Sequence, residues 1–224
     1  MYAGSKPLLN ESEDPPLGTV PLKVVPVGFR SVLAKPLISS NLFDIIYVAK
    51  SSELVKSFGG YELSTPYEVS FFDQQCMHIE DHVVKLHCHT GVFIPLPHMP
   101  AFEECVCLAI WVYHSRMLRS LPRSPLLYSK IGIQLRTALA DAPTDWDDQL
   151  PLLLWIAFIS IHARVDDSLR CWYVALIKII CIRLQLHTWD HTKNVLQRFL
   201  WIRRSEVLGR EVWTEVEAPQ MLMQ

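Results

Sequence analysis

Residues 150–163 read Leu-Pro-Leu-Leu-Leu-Trp-Ile-Ala-Phe-Ile-Ser-Ile-His-Ala, a run that is almost entirely apolar. Only Pro151, Ser160 and His162 interrupt it, so a helix formed here has no polar side to face water. Such a helix lies either inside a helical domain or inside a membrane. A helix of this length rises about 21 Å, which is short of the roughly 30 Å hydrocarbon core of a bilayer. The sequence therefore predicts a central core helix with other helices packed around it.

Composition predicts a globular intracellular protein. The chain has 224 residues, of which 50% are hydrophobic and 20% charged, and its formal net charge is −2. This length fits one domain, and the charge gives no basic excess for binding nucleic acid. The first residues lack the basic flank and apolar block of a signal peptide. No uninterrupted apolar run reaches the 18 residues that a membrane span needs.

The prolines divide the chain into three parts. Residues 1–36 contain six of the 15 prolines and little periodicity, which is typical of an extended or flexible lead-in. Residues 37–217 are expected to form one all-helical domain, and residues 218–224 a tail. The domain should contain seven or eight helices, because apolar residues recur at helical spacing between capping residues, prolines and glycines. The predicted segments are 40–58, 66–86, 100–119, 125–139, 145–163, 166–186 and 189–201, with a last amphipathic segment after Gly209.

Several short stretches, in order along residues 27–216, resemble the regulatory domain of fungal-specific transcription factors, in the branch called fungal transcription factor domain 2. They are Val27-Gly28-Phe29-Arg30, Phe102-Glu103-Glu104-Cys105, Leu135-Arg136-Thr137-Ala138-Leu139, Leu153-Leu154-Trp155-Ile156, Val195-Leu196-Gln197-Arg198-Phe199-Leu200-Trp201 and Gly209-Arg210-Glu211-Val212-Trp213-Thr214-Glu215.

The resemblance implies an all-helical regulatory domain that works in the nucleus, in transcription by RNA polymerase II. It would act through protein partners of the transcription machinery, a homodimer partner or a small-molecule effector, without enzymatic activity or a cofactor. Many relatives read DNA through a zinc cluster built on two Cys-x2-Cys pairs, and none of the six cysteines here forms such a pair. Direct DNA binding by this chain is therefore not expected. The chain is also short for the family, as a trimmed relative or an incomplete gene sequence would be.

A competing hypothesis rests on the His- and Cys-rich segment 76–89. His78 and His82 are four residues apart, so on a helix their imidazoles share one face and suit a zinc ion. His87 and Cys88 could complete the ligand set of a metal-binding or enzymatic protein. The alternative is that Cys76 packs in the core while the histidines, including His89, cap a helix end in solvent. We favour this alternative and predict no metal ion.

No other pattern predicts catalysis or binding of nucleic acid. The sequence has no Gly-x-Ser-x-Gly turn and no phosphate-binding loop. Cys105, Cys107, Cys171 and Cys181 are interpreted as reduced, buried thiols. The acidic pairs Asp147-Asp148 and Asp166-Asp167 fit helix starts.

The basic residues Arg198, Arg203, Arg204 and Arg210 near Trp201 are interpreted as a solvated face over a core tryptophan, because several glutamates neutralise them. A further alternative is that the chain is a structural remnant of such a regulator and has retained no activity.

Overall fold

The computed structural model describes residues 24–33, 40–58, 69–70, 73–74, 77, 101–118, 125–141, 146–163 and 166–218. Within these ranges the protein has eight α-helices and no strand, which confirms the predicted all-α class. The helices are α1 (Val27–Leu33), α2 (Ser40–Phe58), α3 (Ala101–Tyr113), α4 (Pro125–Asp141), α5 (Leu150–Ser160), α6 (Asp167–Arg183), α7 (Trp189–Leu196) and α8 (Arg203–Glu217). A π-helical turn, His114–Leu118, follows α3, and a 3-10 turn, Asp147–Gln149, precedes α5.

Two helices, α3 and α5, supply most of the core. Every residue of α5 except Pro151 is buried, and so is every residue of α3 except Ala101. The two helices contact each other, and α5 also contacts α1, α6 and α7. The sequence predicts the buried helix α5, and the structure adds α3 as a second helix that is buried on all sides. A helix of that kind needs neighbours all around it.

Helix α1 corrects the expectation that residues 1–36 are extended. Residues 27–33 are helical, and Phe29 is fully buried with its ring edge-on to Trp155 at 5.4 Å between centroids. Gly28 lies against Phe199, where a Cβ atom would come within 2.5 Å of the ring. The Gly28 N–H donates to the carbonyl of Arg198 at 2.7 Å. Contacts far apart in sequence therefore stabilise a short helix among prolines. Residues 1–23 lie outside the described residues.

Helices α7 and α8 differ from their predicted bounds. Thr188 caps α7 as predicted, its Oγ1 accepting the N–H of His191 at 3.3 Å, but α7 ends at Leu196 rather than Trp201. Helix α8 starts at Arg203 and runs through Gly209, where the sequence suggested a break. Gly209 is buried against Trp189, and a Cβ atom there would lie 2.7 Å from the indole ring. The glycine allows α8 to approach α7 rather than ending a helix.

Among the described cysteines, one differs from its predicted environment. Cys105, Cys107 and Cys181 are buried, whereas Cys171 is exposed. Burial raises the pKa of the Cys105 thiol well above its ordinary value, and the pKa of Cys107 also rises through burial. Burial raises the pKa of Cys181 to about 11. These three thiols are therefore protonated at neutral pH and are poor nucleophiles.

In the part of the chain that the structure describes, no helix is both long and apolar enough to cross a membrane.

Candidate functional site

The His- and Cys-rich segment considered as a zinc site, with His78, His82, His87 and Cys88, lies outside the described residues, as do Cys76 and His89. Within the described ranges, no group of three or more His, Cys, Asp or Glu side chains could hold a metal ion. The zinc hypothesis for segment 76–89 therefore stays a prediction.

Helix α6 is held in a fixed rotation by contacts at its start and along its buried face. Asp166 caps the helix as predicted, with Oδ1 accepting the N–H of Leu169 at 2.7 Å. Tyr173 is fully buried, and its hydroxyl donates to the carbonyl of Gly132 on α4 at 3.0 Å. Ile177 and Ile180 are buried further along the same face. These contacts determine which residues of α6 point away from the core.

The outward face of α6 is also apolar. Ile182 follows the buried Tyr173 by nine residues, which is two and a half helical turns, and therefore lies on the opposite side. Its side chain is 73% exposed, and that of Ile179, one turn earlier on the same side, is 57% exposed. Ala175 and Cys171 continue the row toward the start of the helix. Single exposed apolar residues are ordinary, but a row along one helix face is typical of an interaction surface.

The exposed row borders a groove between α6 and the end of α8. The groove has a volume of about 610 Å³ and is lined by Ile179 and Ile182 on one side and by Trp213 and Val216 of α8 on the other. Lys178 on α6 donates from Nζ to the carbonyl of Ala218 at 3.0 Å, which ties the two helices together at this end. The outward face of α6 and this groove are together called the α6 groove below.

A second groove, of about 750 Å³, lies between the start of α6 and α8 and is lined mainly by charged residues. Arginines and glutamates are present in equal numbers there: Arg170, Arg203 and Arg210 with Glu206, Glu211 and Glu215. Arg170 donates to Glu215 through Nε, at 3.0 Å from Oε2, and through Nη2, which bonds to Oε1. Lys193 pairs with Glu206 at 2.6 Å. This balance gives no net positive charge to attract a phosphate or nucleic acid.

The predicted basic residues near Trp201 are spread over this part of the surface. Arg198, Arg203 and Arg210 are exposed, and the guanidinium of Arg210 lies 5.8 Å from the centre of the Trp189 ring. Trp201 is partly buried and packs against the core. Three of the four basic residues are thus solvent-exposed, whereas Arg204 and Trp201 are partly buried.

His162, in the turn after α5, is a titratable group that the sequence did not single out as a site. Burial, together with the positive charges of Arg170, Arg116 and Arg204, lowers the pKa of His162 to about 3. The unfolded chain would bind a proton on this imidazole near pH 6.5, whereas the folded protein does not. The contribution of the neutral His162 imidazole to the unfolding free energy is therefore fully present above pH 6.5, and it is lost as the pH falls toward 3.

We expect the wild-type protein to lose about 2–3 kcal/mol of unfolding free energy between pH 7 and pH 4 that the His162→Gln variant retains, because one pKa unit corresponds to about 1.4 kcal/mol. Urea unfolding of both proteins across this range measures the difference. Parallel curves for the two proteins would show that His162 titrates alike in the folded and unfolded states.

The described residues thus form an all-helical protein whose most conspicuous surface feature is an apolar groove beside α6. Comparison with protein-family models, with curated proteins and with solved structures finds no match to this chain. The α6 groove is therefore interpreted from its own chemistry.

Proposed function

We propose that this chain is the regulatory part of a transcription-regulator-like protein, and that it acts by binding a helix of a partner protein in the α6 groove. The observation that carries the proposal is the row of exposed apolar side chains on α6, with Ile182 73% exposed. A row of exposed apolar side chains along one helix face is typical of an interaction surface, and within the described residues Ile179 and Ile182 stay mostly exposed to solvent.

The transcriptional role rests on the resemblance of the stretches between residues 27 and 216 to the regulatory domain of fungal transcription factors. Under this proposal the chain works in the nucleus, does not read DNA itself and is not an enzyme. The groove suits a helix-in-groove mode of recognition, in which a partner helix places apolar side chains at helical spacing against an apolar surface. On the α8 side the groove is lined by Trp213, which is 5% exposed, and by Val216.

A tethered reporter assay tests the proposal. The full chain is fused to a foreign DNA-binding module, and transcription from a reporter gene is compared with that given by the module alone. We expect a change in reporter output that Ile182→Glu abolishes, because a carboxylate on the exposed row would be desolvated by a bound partner. Ile182 is mostly exposed, so the substitution should alter the unfolding free energy by less than about 0.5 kcal/mol.

The matched control is Ile133→Glu, the same substitution at an isoleucine of α4 that is 53% exposed and does not line the groove. This variant should keep the reporter output of the wild-type fusion. A wild-type fusion that leaves the reporter unchanged would count against a regulatory role, and equal loss in both variants would count against the α6 groove as the docking surface.

A further inference from the structure

We draw no further inference here: the strongest candidate, the apolar groove between α6 and the end of α8, belongs to the surface already described, and because Lys178 and Glu217 of opposite charge both line it, nothing in the structure shows what covers it.

Discussion

Replacing Trp155 by alanine is expected to lower the unfolding free energy by about 4 kcal/mol, since removing a buried tryptophan costs roughly 3–5 kcal/mol. Trp155 is fully buried in α5. Its ring stacks on Phe199 at 5.9 Å between centroids and meets Phe29 edge-on at 5.4 Å. Its Nε1 donates to the carbonyl of Leu200 at 3.0 Å, so the alanine variant also leaves a buried acceptor without its donor. This loss is a large fraction of the roughly 5–15 kcal/mol that stabilises a typical domain.

Urea unfolding followed by circular dichroism measures this loss. The matched control is Trp172→Ala on α6, where the indole is only partly buried and the guanidinium of Arg136 lies 5.5 Å from the ring centre. The control should lose less than half as much stability, because less apolar area leaves water there and no cavity forms in the core. Equal losses at the two positions would contradict the assignment of Trp155 to the core.

Parts of the fold that depend on neighbouring residues could be predicted from the sequence. The continuous apolar run of α5 and the caps Asp166 and Thr188 are local signals, because a capping side chain bonds to a backbone N–H only three residues away. Features of this kind need no knowledge of the rest of the chain.

Features that depend on distant residues were missed. Helix α1 forms among prolines because Phe29 packs against Trp155 and Phe199, which are more than a hundred positions away. Gly209 lies inside α8, where the absence of a side chain leaves room for the Trp189 ring. Sequence periodicity cannot report either contact, since each exists only after the chain has folded. Proline and glycine are then interpreted by their usual local effects, which tertiary packing here overrides.

The α6 groove could be predicted only in part. The sequence shows that apolar residues cover most of the helix, including Trp172, Ile179 and Ile182, but such a pattern does not tell which side meets the core. The side is decided by Tyr173, whose hydroxyl bonds to α4 and turns Ile182 outward. The same rotation exposes Cys171, which was expected to be buried.

Glu53 is a buried charged residue that the sequence analysis did not select, because a lone glutamate on a helix is normally exposed. Only 5% of it is exposed, and it joins three parts of the protein. Its Oε2 accepts the hydroxyl of Tyr113 on α3 at 2.9 Å and the N–H of Trp201 at 3.0 Å, while Oε1 pairs with Lys50 on α2. The contact that links Glu53 to Trp201 spans 148 positions in sequence.

Glu53→Ala is expected to lower the unfolding free energy by about 3 kcal/mol, because it leaves two buried donors, the Tyr113 hydroxyl and the Trp201 N–H, without their acceptor. Glu53→Gln is the matched control, since its amide oxygen can accept both bonds while the charge is removed. It should cost less than about 1 kcal/mol. Urea unfolding at pH 7 compares the two variants, and similar losses in both would show that the carboxylate charge, not the two hydrogen bonds, stabilises this junction.

The pH dependence of the unfolding free energy, compared between the wild-type protein and Glu53→Gln, separates the effect of the carboxylate charge from that of its hydrogen bonds. Burial raises the pKa of Glu53 above 4.5, more than the nearby Lys50 ammonium lowers it. The folded protein therefore binds this proton more tightly than the unfolded chain, and the resulting stability is present below pH 4.5 and lost as the pH rises through the folded-state pKa. Wild-type stability minus that of Glu53→Gln should thus decrease between pH 4.5 and pH 7, in the opposite direction to the effect of His162. An increase over that range would mean that the ion pair with Lys50 outweighs desolvation of the carboxylate, and Glu53 would then stabilise the junction as a charge.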